Sequence, residues 1–206
     1  ILDVGCGIGY FLCEAKKRGW KVYGTEFTDE AIDICEKKGI NMFKGKLYSD
    51  SHLLESYDVI TSFEVIEHIN NPQEEIESIY SLIRKGGLVY VTTPNFNSIN
   101  RLFLRSKYNV IGYPEHLTYY TSKTLSKLFL KNNFKSKIKT TGLSISRIKT
   151  SIGYSQKKII SFDSDDEKIR VLAEKRIFLK LMKKILNFFL NLTSTGDTIK
   201  GQFIKN

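Results

Sequence analysis

Cysteine is scarce in this chain of 206 residues, and long apolar runs are missing. The three cysteines, Cys6, Cys13 and Cys35, are odd in number, scattered and without a C-x-x-C pair. This usage is typical of reduced thiols and predicts a cytoplasmic protein. Because no uninterrupted apolar run is long enough to span a bilayer, we expect no transmembrane segment. No internal repeat stands out, and the length suits a single domain over residues 1–206.

Acidic residues are scarce in the second half of the chain. Residues 98–206 hold 22 Lys and Arg against 7 Asp and Glu, whereas residues 1–97 hold 10 against 15. A basic half favours a phosphate-bearing substrate, RNA or an anionic membrane surface as partner. The alternative is that these lysines only form a solvated surface.

The last glycine of a dinucleotide-binding motif is also missing. That motif is G-x-G-x-x-G, but Gly5, Gly7 and Gly9 give G-x-G-x-G, and Tyr10 stands where its final glycine belongs. The spacing disfavours a nicotinamide-dependent oxidoreductase. It predicts a buried strand, a tight loop and a helix, with bare backbone and N–H groups facing an anionic or polar ligand.

The next predicted strand, residues 21–26, ends at Glu26, whose carboxylate can accept hydrogen bonds from both hydroxyls of a ribose. Together with the glycine loop this resembles the class I S-adenosylmethionine-dependent methyltransferases, whose first motif is an apolar strand, an acid and G-x-G-x-G. The resemblance implies S-adenosylmethionine as cofactor, with Glu26 on its ribose and Asp3 ordering the loop or the methionine amino group. The residues it assigns to the cofactor are Asp3, Gly5, Cys6, Gly7, Gly9, Glu26, Phe27 and Phe63.

Strand and helix signals alternate along the chain, which predicts an α/β fold with helices on both faces of a parallel sheet. Helices are expected over 10–18, 28–39, 71–85 and 122–132, with Thr28, Asn71 and Ser122 as caps. The resemblance implies a doubly wound, mostly parallel seven-stranded sheet whose last strand, 198–205, is antiparallel. Members of this class usually carry one or two helices before the first strand, so we expect that an N-terminal piece is missing.

Residues 142–197 depart from a minimal fold of this class, and we expect a helical insertion or lid there, before the last strand. Within it, apolar residues recur at steps of three and four between lysines over residues 168–192. This pattern predicts a basic amphipathic helix. Such a helix packs on the sheet or over the substrate pocket, contacts a membrane surface, or forms a dimer surface.

A second group of candidate residues follows the predicted fourth strand, at the sheet edge where open α/β folds bind ligands. Glu64, Glu67 and His68 are spaced i, i+3 and i+4, which predicts that they share one face of a helical turn. Two carboxylates and an imidazole form either a metal site or an acid/base cluster. His116, in a later loop beside three tyrosines, is the best candidate for a general base.

The E-x-x-E-H pattern resembles the ubiquinone-biosynthesis O-methyltransferases and the small-RNA 3′-terminal 2′-O-methyltransferases. The resemblance implies a divalent cation, Mg²⁺ or Mn²⁺, held by Glu64, Glu67 and His68, with His116 in the position of the RNA enzymes' second histidine. Without a cation, the catalytic candidates His116, His68 and Glu64 would orient or deprotonate the acceptor.

An acid after the third strand is absent as well. Members of the class often place one there to contact the adenine amino group, but this chain has Lys44, Gly45 and Lys46. Adenine recognition must then use backbone groups, or Asp50 or Ser51 slightly later.

The predicted activity is methyl transfer to a hydroxyl oxygen of a small acceptor of the sugar, aromatic or isoprenoid type. An oxygen acceptor is favoured because a base or a metal is most needed to make a hydroxyl nucleophilic. One alternative is an RNA 2′-O-methyltransferase. Another is a non-catalytic module that has the cofactor fold and binds a partner through its basic half.

Overall fold

The computed structural model describes residues 1–47, 54–108, 110–143 and 177–206. Its strands are β1 (Leu2–Val4), β2 (Tyr23–Glu26), β3 (Asn41–Lys44), β4 (Tyr57–Phe63), β5 (Ile83–Pro94), β6 (Phe134–Thr141) and β7 (Thr198–Lys205). In this part of the chain they form one sheet in the order β3-β2-β1-β4-β5-β7-β6. Among these strands, β7 pairs antiparallel with both β5 and β6, and the other four ladders are parallel. The predicted mostly parallel seven-stranded sheet with an antiparallel last strand is confirmed.

Helices connect the strands. The described helices are α1 (Tyr10–Lys17), α2 (Asp29–Lys37), α3 (Pro72–Leu82), α4 (Ile99–Leu104), α5 (Ser122–Lys131) and α6 (Ile177–Leu192). Two short 3₁₀ turns cover Ile66–His68 and Arg105–Lys107. Among the residues that the structure describes, no helix combines the length and the apolar character needed to cross a membrane.

The sheet lies between two apolar clusters. Helices α1 and α2 pack on the smaller cluster, which contains Cys35, and α3 and α5 cover the larger one, which contains Phe129. Successive strand residues point to opposite faces, and accordingly Ile1 packs against the smaller cluster while Leu2 belongs to the larger. The carboxyl ends of the parallel strands meet at one edge, and the loops at that edge carry the candidate site.

The predicted end of α3 at Lys85 is wrong. The helix ends at Leu82, and the chain is already extended at Ile83, which is fully buried and lies opposite Tyr57 of β4. Burial of Ile83 in the sheet therefore outweighs the helical pattern of the sequence. At the other end, Asn71 caps the helix as predicted, because its side chain accepts a hydrogen bond from the Glu74 amide.

The cap of α5 also differs from the prediction. Ser122 is the first helical residue, and Thr121 is the N-cap. The Thr121 hydroxyl accepts a hydrogen bond from the Thr124 amide at 3.2 Å, and the Thr121 amide donates to the Thr124 hydroxyl at 2.8 Å. This reciprocal capping box satisfies two backbone donors at once. At α2, Thr28 occupies the N-cap as predicted, but its side chain makes no capping hydrogen bond.

Aromatic side chains pack strand β7 against the larger cluster. The ring of Phe203 stacks on Phe129 of α5 with centroids 3.5 Å apart, and Phe129 also contacts Phe134 of β6. A Cβ added at Gly201 would lie 2.4 Å from the Phe203 ring, so this position requires glycine. The last strand is thus fixed by aromatic packing as well as by its two ladders.

Of the predicted insertion 142–197, residues 144–176 lie outside the described part. Helix α6 confirms a helix over 177–192 of the predicted 168–192. Asn187 and Asn191 join it to the end of β6, because their side-chain oxygens accept hydrogen bonds from the Gly142 and Thr140 amides. Several large apolar side chains of α6, from Leu181 to Leu192, are exposed. A membrane surface as the partner of this helix stays a prediction.

Candidate functional site

The glycine loop between β1 and α1 is held against the end of β2. The Gly5 amide donates to the Thr25 hydroxyl at 3.1 Å, and the Cys6 amide donates to the Thr25 carbonyl at 3.0 Å. Gly5 has a φ of +65°, and a Cβ there would lie 2.7 Å from Val65. At Gly7, with a φ of +54°, a Cβ would meet nothing within 4 Å. The backbone therefore passes close to Val65, in the turn after β4, at Gly5 and faces open space at Gly7.

Glu26 stands at the tip of β2, facing the loop. One carboxylate oxygen accepts a hydrogen bond from the Gly7 amide at 2.9 Å, and the other accepts from the Phe27 amide at 2.7 Å. Each carboxylate oxygen has two lone pairs, so both can still accept a ligand hydroxyl. The carboxylate is thereby oriented before any ligand binds, which lowers the cost of binding.

A cavity of about 360 Å³ opens beside this loop. It is lined by Val4, Gly5, Thr25, Glu26, Phe27, Gly45, Lys46, Leu47, Val65, His68, Ile69, Asn70, Asn71, Glu74 and Glu75. Three of the residues assigned to the cofactor from sequence are therefore in its wall, and five are not. Those outside the lining are Asp3, Cys6, Gly7, Gly9 and Phe63.

These five residues support the loop or its surroundings. Gly9 is the N-cap of α1, with a φ of +75°. The Cys6 thiol lies 4.0 Å from the Met42 sulfur. Phe63 packs edge-on against Phe11 of α1, with centroids 5.0 Å apart.

Asp3 is a buried carboxyl directly below the loop. Its side chain accepts a hydrogen bond from the Thr61 hydroxyl at 2.6 Å, and its residue exposure is 3%. Burial raises the pKa of Asp3 to about 7, although the Thr61 hydrogen bond opposes the shift. The carboxyl thus ties β1 to β4 at the point where both strands lead into the site.

A second group, next to the cavity, contains Glu67, His68 and His116. Each offers one potential ligand atom, and the three atoms lie within 4.8 Å of one another. The Glu67 carboxylate is buried and accepts a hydrogen bond from the Thr93 hydroxyl at 2.8 Å. Burial raises the pKa of Glu67. This group is called the Glu67–His68–His116 cluster below.

Backbone contacts bring His116 to the 3₁₀ turn that carries the other two residues. The Glu67 carbonyl accepts hydrogen bonds from the Leu117 and Thr118 amides at 2.9 and 3.0 Å. These two bonds fix the loop after β5 against the turn after β4. His68 is exposed, His116 is half-buried, and their rings lie edge to face with centroids 4.8 Å apart.

Both imidazoles are oriented through the same ring nitrogen. Nδ1 of His68 donates to the Glu115 carbonyl at 2.5 Å, and Nδ1 of His116 donates to the Val110 carbonyl at 2.7 Å. A carbonyl oxygen can only accept, so Nδ1 carries the proton. In the neutral ring the lone pair is therefore on Nε2. The cluster presents two proton acceptors, or two metal ligands, in addition to a carboxylate.

The shared helical face predicted for Glu64, Glu67 and His68 is wrong. The 3₁₀ turn begins only at Ile66, and Glu64 has a φ of +55°, outside the helical region. The Glu64 amide instead donates to the Thr92 carbonyl of β5, which continues the sheet. Glu64 is exposed and is not one of the three groups that lie within 4.8 Å.

Comparison with known proteins gives the family. A family profile described as "Methyltransferase domain" matches residues 1–137. The chain belongs to the class I S-adenosylmethionine-dependent methyltransferases. The ubiquinone biosynthesis O-methyltransferase of Shewanella halifaxensis is 33% identical over 104 residues, 47% of this chain and 44% of that protein. The one from Saccharophagus degradans is 33% identical over 111 residues, 50% and 47% respectively. This methyltransferase thus spans about half the length of the curated relatives it matches.

Solved structures agree on the fold of this methyltransferase. A methyltransferase from Archaeoglobus fulgidus superposes with a TM-score of 0.65 at 18% identity, over 99% of this chain and 85% of the other. The Haemonchus contortus phosphoethanolamine N-methyltransferase 2, solved with S-adenosylmethionine, gives 0.57 at 16%, over 99% and 48%.

S-adenosylmethionine fits the cavity of this methyltransferase. The oriented Glu26 carboxylate suits a diol, Gly5 brings bare backbone into the wall, and Phe27 and Val65 offer apolar surfaces. His68 is the one member of the Glu67–His68–His116 cluster that also lines the cavity. The cluster therefore adjoins the cavity and shares His68 with its wall.

Proposed function

We propose that this methyltransferase methylates a hydroxyl oxygen of a small acceptor of the aromatic, isoprenoid or sugar type. The observation that carries the proposal is the Glu67–His68–His116 cluster beside the cofactor cavity. A sulfonium methyl needs no further activation, so the protein's task is to position and deprotonate the acceptor. The curated relatives named as ubiquinone biosynthesis O-methyltransferases support an oxygen acceptor.

The roles follow from the contacts. When bound, S-adenosylmethionine supplies an electrophilic methyl group. Glu26 and the glycine loop hold its ribose and methionine parts, and Nε2 of His116 accepts the proton of the acceptor hydroxyl. His68, at the border between cavity and cluster, orients that hydroxyl toward the cofactor. Glu64 is exposed and lies outside the cluster, so the deprotonation proposed here does not use it.

A divalent cation fits the donor chemistry of the cluster. One carboxylate and two imidazole nitrogens suit a borderline or hard cation such as Mn²⁺ or Mg²⁺. Fixing Nδ1 on a carbonyl is the usual outer-shell arrangement of a metal-binding histidine, and both histidines have it. Glu67, His68 and His116 would hold the cation, which would lower the pKa of the acceptor hydroxyl.

RNA is a second candidate acceptor, favoured by two observations. The second histidine, His116, joins the cluster, and exposed lysines line the sheet at Lys135, Lys137, Lys139 and Lys200. Such a basic surface attracts phosphates. The same methyl-transfer assay separates the two acceptor classes.

The test is a methyl-transfer screen with labelled S-adenosylmethionine and acceptors of four kinds: a catechol, a prenylated phenol, a nucleotide sugar and a small RNA. We expect transfer to a small hydroxyl acceptor, and a rate about 100-fold lower for Glu67→Ala. Exposed Glu36, on α2, provides the control Glu36→Gln with an unchanged rate. A chelator that abolishes transfer, with recovery on Mn²⁺ addition, supports the cation; an unaffected rate supports the metal-free base.

Transfer to RNA alone would replace the proposal by the second candidate. S-adenosylhomocysteine binding without transfer to any hydroxyl acceptor would instead favour a non-catalytic module.

A further inference from the structure

Among the described residues, the part of the cofactor cavity wall that directly follows β3 lacks an acidic side chain that could accept a hydrogen bond from adenine. Adenine presents a 6-amino group, a donor that needs an acceptor when it leaves water. The side chain that follows β3 in the cavity wall is Lys46, which can only donate. The Lys46 side chain therefore cannot accept from the amino group, and an acceptor side chain in this wall belongs to another element.

Several side-chain acceptors in the wall already have hydrogen-bond donors. The Glu26 carboxylate takes the Gly7 and Phe27 amides. Asn71 and Glu74 bond each other at the cap of α3, with the Asn71 side-chain amide donating to Glu74 at 3.2 Å. Glu26 is therefore oriented by the glycine loop, and Asn71 and Glu74 belong to the cap of α3.

Glu75 is the remaining carboxylate of the wall. It is half-buried, and among the described residues its side chain makes no hydrogen bond. Burial, followed by the neighbouring Glu74, raises the pKa of Glu75 to about 7, and Lys46 opposes the shift. Glu75 shares the cavity wall with Lys46 and is not a member of the Glu67–His68–His116 cluster.

The wall between Glu26 and Glu75 suits a flat, apolar-faced ring. Phe27, Leu47, Val65 and Ile69 contribute to it. A nucleobase buries its flat faces against such side chains and presents its polar edge to hydrogen-bonding groups of the cavity wall. Glu75, on α3, lines the same cavity as Glu26 and these apolar side chains.

We propose that Glu75, on α3, accepts the hydrogen bond of the adenine 6-amino group and so makes the cavity selective for adenine. The inference rests on the cofactor cavity of the proposed function and not on the identity of the acceptor. Selectivity arises because a 6-oxo base would turn an oxygen lone pair toward the carboxylate, leaving both acceptors without a donor.

The test compares two ligands by calorimetry at about pH 8, where a carboxyl with a pKa of about 7 is mostly ionised. The ligands are S-adenosylhomocysteine and its 6-oxo analogue, in which hypoxanthine replaces adenine. We expect the protein to prefer the adenine ligand by about tenfold to a hundredfold. In Glu75→Gln the ratio should fall to about threefold or less, because an amide can donate to the 6-oxo group.

Glu77→Gln is the matched control, two residues further along the same helix, exposed and outside the cavity wall. It should keep the wild-type ratio. If Glu75→Gln does not fold by circular dichroism, Glu75→Asp replaces it, since it withdraws the carboxylate by one methylene and should lower the ratio too. A wild-type ratio in the Glu75 variant, or a fall in Glu74→Gln instead, overturns the inference. Failure of the wild type to bind S-adenosylhomocysteine would instead contradict the cofactor site itself.

Discussion

Two acidic residues of the first two strands have opposite environments. Asp3 is buried under the glycine loop with the Thr61 hydroxyl as its partner, whereas Glu26 is half-buried and accepts two backbone amides. Burial disfavours the ionised form of Asp3. The two amides orient the Glu26 carboxylate, and Asp3 joins β1 to β4 below the loop.

The raised pKa of Asp3 predicts a dependence of stability on pH. Since its pKa is about 7 in the fold and 3.8 as the ordinary value, the folded protein binds more protons between these values. Its contribution to stability therefore falls as the pH rises through this window. Between about pH 5 and pH 8, the wild type should lose about 2 kcal/mol more unfolding free energy than Asp3→Asn.

Urea unfolding of the cofactor-free proteins at both pH values measures this difference. Glu67 and Glu75, whose pKa values are also raised, are present in both proteins and cancel. Asp33→Asn, at an exposed position of α2, is the control and should follow the wild type. An equal loss in wild type and Asp3→Asn would show that Asp3 is ionised throughout.

At the scale of the elements, periodicity and caps predicted most of the fold. The alternation of strands and helices predicted a parallel sheet, and the acid at the end of β2 predicted the position of Glu26. The seven strands and the antiparallel last strand were implied by the family resemblance. Two features were not predicted from the sequence because tertiary contacts determine them. Ile83 is extended since β4 pairs with it, and Glu64 leaves the turn since its amide bonds to β5.

The site itself was predictable only in part. His68 and His116 were identified from motif and loop position, and the structure brings them together through backbone bonds to Glu67. Thr93, whose hydroxyl donates to the Glu67 carboxylate, is not among the residues predicted from the sequence. Glu75 carries no motif, and only the packing of α3 against the cavity shows its position.

The aromatic packing of β7 predicts a large effect from one truncation. Phe203 is fully buried and stacks on Phe129, so Phe203→Ala leaves a cavity in the larger cluster. We expect a loss of about 3 to 5 kcal/mol in unfolding free energy, measured by urea titration. Ile204→Ala, at the next residue on the exposed face of the same strand, should cost about 1 kcal/mol or less. Equal losses would mean that β7 is not fixed by this core.

At the scale of the whole molecule, charge and chemistry are divided along the chain. The acidic first half supplies the cofactor cavity, and the basic second half supplies His116 and the exposed lysines of β6 and β7. Two sites meet at His68: the cavity on one side and the Glu67–His68–His116 cluster on the other. This division predicts that cofactor binding and acceptor chemistry can be lost separately.

The most direct test of this account measures S-adenosylhomocysteine affinity and methyl transfer in the same two variants. Glu26→Ala should bind S-adenosylhomocysteine at least about tenfold more weakly than the wild type, because it loses hydrogen bonds to a charged acceptor. His116→Ala should bind it as tightly as the wild type, yet transfer methyl about 100-fold more slowly. Equal weakening of binding in both variants, or unchanged binding in Glu26→Ala, would contradict the two adjoining sites described here.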